Sequence, residues 1–261
     1  METLLLNKEE VGSLIDLDAV RAAVEDGYRS FNNGLVVQPN IMDVTLPGTH
    51  EGVDFKGGLD MGSGYITLKA SSGGFDHNPK LGLPTGMNTV MLFEAKTCAL
   101  KCIMDGTFIT GCRTGAAGAI SVKYLARAEA EKLCIIGAGS QARRQLSAIM
   151  RVRKLSEVRV WDALPEFLDA YVKEMSAETG LKIRTCTTAE QAVRGADIVV
   201  TTTRARSGPI VRKEWIQPGT HIAAIGADAP GKQELDAGVF AGAKVVSASI
   251  SLCVVRGETR N

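Results

Sequence analysis

Histidine is scarce in this chain, metal-binding cysteine spacing is missing, and no long apolar run occurs. The three histidines stand at 50, 77 and 221, too scattered to build a metal centre. The six cysteines, at 98, 102, 112, 134, 186 and 253, contain no C-x-x-C pair, so no zinc motif is present and no metal is expected. Cys98 and Cys102 lie four apart in an apolar, extended-looking stretch, which predicts one shared face. All six cysteines read as buried free thiols of a reducing compartment. No run approaches the roughly 20 apolar residues of a membrane span. The opening METLLLNKEEVG lacks the basic start and long apolar stretch of a secretory signal, so a cytoplasmic location is expected. Basic and acidic residues nearly cancel, 30 against 29. That balance gives no electrostatic case for nucleic acid or an anionic membrane as partner.

What remains is an ordinary globular composition, 45% hydrophobic and 23% charged over 261 residues. That length suits one large domain or two ordinary ones. NKEEVGSLIDLDAVRAAVEDGYRSFNNG reads as helical: Leu17, Val20, Val24, Tyr28 and Phe31 recur at spacings of 3 and 4. Asp16 is its expected N-cap and Asn33-Gly34 its stop. Residues 35 to 110 then turn glycine-rich with short alternating runs, and FEAKTCAL reads as a hairpin turning near Lys96-Thr97. A mostly antiparallel sheet is predicted there.

A second pattern begins near Arg113. RTGAAGAISVKYLARA predicts a close-packing helix of small residues. Strands and helices then alternate: KLCIIG, EVRVWD, KIRTC, DIVVTTT, HIAAIG and KVVSAS as strands, and SQARRQLSAIMRV, LPEFLDAYVKEMSAETG and TAEQAVRGA as helices. Alternation of this kind implies a parallel sheet covered by helices. Pro165 fits an early helical position, and Gly180 fits that helix's stop. The fold class is therefore α/β, with a parallel-sheet domain over residues 114–261 and an α+β domain over residues 1–113.

LCIIGAGSQARRQL places Gly137 and Gly139 between an apolar strand and a helix, with Ala142 at the third small position. Gly137 permits the tight turn, Gly139 lets the backbone approach a pyrophosphate, and Ala142 lets the helix pack on the strand. The helix N-terminus offers unpaired N–H groups to the phosphates. Asp162 ends the next strand about 20 residues on, where an acid is expected to bind the ribose hydroxyls. It could also cap the helix at Pro165. The residues after it, Ala163 and Leu164, supply no cation for a ribose 2′-phosphate, which favours NAD over NADP. Further on, HIAAIGADAPGKQELD sets Asp228 just past a buried strand. It either caps a following helix or faces a ligand at the carboxyl ends of the strands.

These segments together resemble the ornithine cyclodeaminase/mu-crystallin family across essentially the whole chain. The most specific are GLPTGMNTVMLF, ITGCRTGAAGAISVKYLA, IIGAGSQA and IGADAPGKQELD. The resemblance implies a substrate-binding and dimerisation domain followed by a Rossmann-type domain, in a homodimer. It implies enzymes that deaminate, or reductively form, amines alpha to a carboxylate with a nicotinamide cofactor. By the same resemblance Lys69 holds the carboxylate of a small amino-acid or imino-acid substrate. Arg113 lies between that carboxylate and the cofactor, and Asp228 is the catalytic acid/base. Thr85, Ser140, Gln141, Asp162, Thr203 and Lys232 match positions that contact the dinucleotide. Relatives continue past the position of Asn261, with segments that complete the first domain.

Two positions depart from the family pattern. Asn40 stands where a further carboxylate-binding arginine is usual, and Asp60 is the only acid in FKGGLDMGSGY, where a glutamate is expected. Both argue against ornithine as substrate. The expected activity is an NAD-dependent, ornithine cyclodeaminase-like deaminase of a small L-amino acid. Two alternatives stand beside it: an imine or ketimine reductase, alanine dehydrogenase-like enzymes included, and a non-catalytic, mu-crystallin-like nucleotide-binding protein.

Overall fold

The computed structural model describes residues 2–205, 207–229, 231–253 and 257–260. The chain divides into two compact units, residues 1–113 and 114–261. In the first unit, β1 (Leu4–Leu6) is followed by α1 (Lys8–Leu14), α2 (Leu17–Asn32), β2 (Val36–Val37), β3 (Met42–Thr45), β4 (Gly52–Asp60), β5 (Tyr65–Gly73), β6 (Asn88–Glu94) and β7 (Leu100–Asp105). The strands form one seven-stranded sheet in the order β1-β7-β6-β5-β4-β2, with β3 also on β4. Every pairing is antiparallel except that of β1 with β7.

The expected single helical stretch is two helices. Asn7 caps α1 through a reciprocal box with Glu10, and Asp16 caps α2 by accepting from the Ala19 N–H at 2.7 Å. A new N-cap at Asp16 restarts the chain after Ile15, whose extended backbone ends α1. The leucine run Leu4–Leu6 is a strand, because β7 offers it a parallel edge. The hairpin between β6 and β7 turns as expected: the Glu94 carboxylate accepts from the N–H groups of Lys96 and Thr97. Cys98 sits in this turn at φ +57° and is exposed, whereas Cys102 is buried in β7. The expected shared face is therefore wrong, since the turn intervenes before the strand begins. Cys253 is also only half-buried, so four of the six thiols are buried.

α3 runs over Thr107–Leu125 and begins six residues before Arg113. The Asp105 carboxylate accepts from the Thr107 N–H at 2.9 Å and so organises this earlier start. Beyond it come β8 (Lys132–Ile136), α4 (Ser140–Ile149), β9 (Glu157–Trp161), α5 (Glu166–Thr179), β10 (Ile183–Thr185), α6 (Ala189–Val193), β11 (Ile198–Thr201), β12 (His221–Ala224) and the short α7 (Ile250–Cys253). β8 to β12 form a five-stranded, wholly parallel sheet in the order β10-β9-β8-β11-β12. The protein is thus an α/β protein with a parallel sheet. KVVSAS is no strand: Val245 and Val246 are more than half exposed, and residues 244–249 join neither sheet.

Side chains alternate across a strand, and the second unit's core shows it. Leu133, Ile135, Ile198 and Val200 pack with Leu146 of α4 and Tyr171 of α5 on one face. Cys134, Ile136 and Val199 pack with Ala192 and Val193 of α6 on the other. Each fully buried aliphatic side chain of this kind contributes about 1.5–3 kcal/mol. Glycines bring α3 and α4 together. A Cβ on Gly115 would lie 2.6 Å from the Arg144 carbonyl oxygen, and one on Gly118 would fall on the buried Gln145 side chain. Gln145 Nε2 donates to the Thr114 carbonyl at 2.9 Å, which fixes the helix that starts at the glycine turn.

Candidate active site

The sheet order reverses between β8 and β11, and a ligand crevice forms outside the carboxyl ends of the strands at such a switch point. Gly137 follows β8 at φ +98°, a region that favours glycine. A Cβ there would also press, at 3.0 Å, on Thr202 Oγ1 and Thr203 Cγ2. Gly139 is the N-cap of α4 and offers no side-chain cap, so the first N–H groups of the helix stay open to an anion. A Cβ on Gly139 would meet no protein atom within 4 Å. Ser140 opens the helix, exposed. Gln141 follows in its first turn, and its Oε1 is buried without a hydrogen-bond partner among the described residues. An open helix end and a glycine facing empty space both fit a dinucleotide pyrophosphate.

Asp162 directly follows β9, which ends one residue earlier than expected, and it also builds the turn. Its Oδ2 accepts from the Ala138 N–H at 2.6 Å, and its Oδ1 from the Leu164 N–H at 2.9 Å. α5 has no side-chain cap, so capping that helix does not explain Asp162. Arg143, which sequence reasoning passed over, grips the same turn by donating to the carbonyls of Ala138 (2.7 Å) and Gly139 (3.1 Å). Its guanidinium also pairs with Glu174 and lies over the Tyr171 ring.

The tips of β11 and β12 carry the rest. Asp228 caps no helix: among the described residues the next helical turn is Ala237–Phe240, capped by Asp236. Its side chain is 71% exposed, and its Oδ1 accepts from Lys232 Nζ at 2.5 Å. Lys232 Nζ also reaches the Gly226 carbonyl at 3.4 Å. Behind them lies a residue no sequence pattern marked. Glu234 is fully buried, and its carboxylate accepts from Thr201 Oγ1, the Thr203 N–H and hydroxyl, and the Gly226 N–H, at 2.6–2.8 Å. The backbone N–H groups of Glu234 and Leu235 in turn donate to the buried Glu258 carboxylate. Burial, and then the neighbouring Glu234 charge, push the Glu258 carboxyl up, against the pull of those backbone N–H groups.

In the first unit, Lys69 lies on β5 with Nζ 3.2 Å from Thr110 Oγ1. Arg113 follows Thr110 by three residues on α3, so both stand on one face of that helix. Tyr28 of α2 shares the neighbourhood: burial raises its phenol, and the Arg113 guanidinium opposes that rise. Thr85 is on the exposed loop before β6. Asn40 is exposed, and Asp60 serves the turn after β4 by accepting from the Gly62 N–H at 2.9 Å. The described residues hold no group of three or more histidine, cysteine, aspartate or glutamate side chains able to bind a metal.

Known proteins share this fold. Alanine dehydrogenase of Archaeoglobus fulgidus is 39% identical over 246 residues, which are 94% of this chain and 74% of the relative. A solved archaeal alanine dehydrogenase dimer with bound NAD superposes with a TM-score of 0.93 at 38% identity, covering 100% of this chain and 78% of the other. The Δ1-pyrroline-2-carboxylate reductase of Thermococcus litoralis, solved with NADH and L-proline, gives 0.93 at 32% identity over 98% of this chain and 78% of its own. These relatives are dehydrogenases and a reductase, and the two solved structures hold NAD or NADH. The model of the ornithine cyclodeaminase/mu-crystallin family matches residues 1–260, and the chain belongs to that family.

Proposed function

We propose that this protein is an NAD-dependent oxidoreductase that interconverts a small L-amino acid with its imino or 2-oxo acid. One observation carries the reading: among the described residues Asp228 caps no helix, and Lys232 holds it, exposed, at the strand tips that border the phosphate turn. Gly137, Gly139, Ser140 and Asp162 would hold NAD, which would supply the hydride acceptor or donor. Lys69 and Arg113 bind the substrate carboxylate, two cations that together limit rotation about the reacting carbon. Asp228 takes the proton of the attacking water and later protonates the leaving amine. The balance is amino acid, NAD+ and water giving 2-oxo acid, ammonium, NADH and a proton. In the reductive direction the same groups deliver a proton to the amine as the imine carbon gains hydride.

The two departures from the family pattern turn this reading away from ornithine. Asn40 is exposed, and the Asp60 carboxylate is spent on a backbone turn, so neither is assigned to a distal amine. Steady-state assays over a panel of amino acids, and of 2-oxo acids with ammonia or amines, test the proposal. Net NADH formation or consumption with a small amino or imino acid supports it. Ammonia release from ornithine without net NADH would point instead to the cyclodeaminase. Binding of NADH with no turnover anywhere in the panel would favour a nucleotide-binding protein.

A further inference from the structure

Asp162, at the tip of β9, marks the adenosine side of the phosphate turn, because an acid there takes the ribose hydroxyls. The nicotinamide half must then lie on the other side, over β11 and β12. We propose that the buried Glu234 carboxylate is the positioning residue for that half: it fixes Thr203 and the Asp228 loop in one arrangement. The inference rests on the NAD reading above.

Glu234 Oε1 receives both the N–H and the hydroxyl of Thr203, while Oε2 receives Thr201 Oγ1 and the Gly226 N–H. One side chain thus ties the end of β11 to the residue two before Asp228. Gly226 is shaped to this grip: a Cβ there would lie 2.5 Å from Glu234 Oε1 and 2.4 Å from the Thr203 carbonyl oxygen. The Asp228 N–H returns to the Gly226 carbonyl at 3.0 Å, so the loop follows the glycine. The Thr203 proton is committed to Glu234, and its oxygen already accepts from the Ala205 N–H at 3.2 Å. Toward a ligand Thr203 can therefore only accept, which suits a carboxamide N–H or a ribose hydroxyl. Glu258 secures the backbone of Glu234 from behind and takes no part in the grip itself.

The test compares NADH with ADP, which carries only the adenosine and pyrophosphate half, by fluorescence and calorimetric titration. Glu234→Gln keeps the shape but turns two hydrogens toward groups that already donate. NADH should weaken by about tenfold, the equivalent of one hydrogen bond, with ADP unchanged. Thr201→Val carries the same prediction should Glu234→Gln not fold. Thr201 is fully buried and bonded to Glu234, and it lies on the strand rather than in the crevice loop, so its effect must pass through the carboxylate. Selective loss of NADH in either variant supports the proposal. Unchanged NADH affinity, or equal losses of NADH and ADP, would overturn it. If the unmodified protein binds neither ligand, the NAD reading itself fails, and the positioning role falls with it.

Discussion

Asp162 shows how one side chain serves two demands. Its two oxygens hold the backbone at Ala138 and Leu164, and as a carboxylate it opposes a ribose 2′-phosphate. NADH should therefore bind more tightly than NADPH. Asp162→Ser should narrow or reverse that gap, and weaken both somewhat because Ala138 loses its acceptor. Fluorescence titration of the two variants with the two cofactors reads this out, and equal affinities in the unmodified protein would refute it. At this scale the glycines and Asp162 were legible because their spacing follows from the geometry of a strand-turn-helix. Glu234 was not. It lies in the irregular segment GKQELD, where a charged residue looks solvated, and only the fold brings the Thr203 and Gly226 N–H groups to it. Arg143 was missed for the same reason, since its partners are carbonyls of its own turn.

Among the elements, β8, β11 and β12 could be read because each is an apolar run closed by glycine or a polar cluster, and β9 by its alternation. β1 could not, since three leucines become a strand only when β7 supplies an edge. KVVSAS failed in the opposite way, with strand-like residues that join neither sheet. The contact between β12 and α3 gives a pH prediction. His221, the first residue of β12, lies with Nε2 3.1 Å from Ser121 Oγ, whose own hydroxyl donates to the Gly118 carbonyl. Burial, helped by the nearby Arg153 charge, holds the imidazole down at about 4. An unfolded histidine titrates near 6.5, so protonation favours the unfolded chain. The stability from the neutral ring is complete above pH 6.5 and lost as pH falls toward 4, at most about 3 kcal/mol. His221→Gln should flatten this part of the stability profile in urea melts from pH 7 to 4. Parallel profiles for the two proteins would contradict the assignment.

For the whole molecule, the two units differ in how they bury apolar surface. The second has a dense core on both faces of its sheet. Among the described residues of the first, only Val11, Cys102 and Cys112 are buried apolar side chains, while Leu4, Leu5, Val37, Met42, Val44 and Tyr65 are 42–72% exposed. Exposed apolar surface on a sheet with open strand edges invites pairing with another chain. We therefore propose that residues 1–113 form the homodimer contact. Light scattering should give twice the chain mass, and Val44→Lys should shift the protein toward monomer. A monomeric mass for the unmodified protein would count against the proposal.

The most direct test of the catalytic account is Asp228→Asn, assayed on whichever amino or imino acid the panel identifies. Asparagine keeps the shape of the side chain, and it can still accept from Lys232 Nζ. What it loses is the ability to take up and return a proton. The account predicts NADH affinity close to that of the unmodified protein, with turnover lower by roughly 10²–10⁴-fold. Turnover within a few-fold of the unmodified protein, at equal NADH affinity, would show that Asp228 is not the acid/base and would contradict the mechanism.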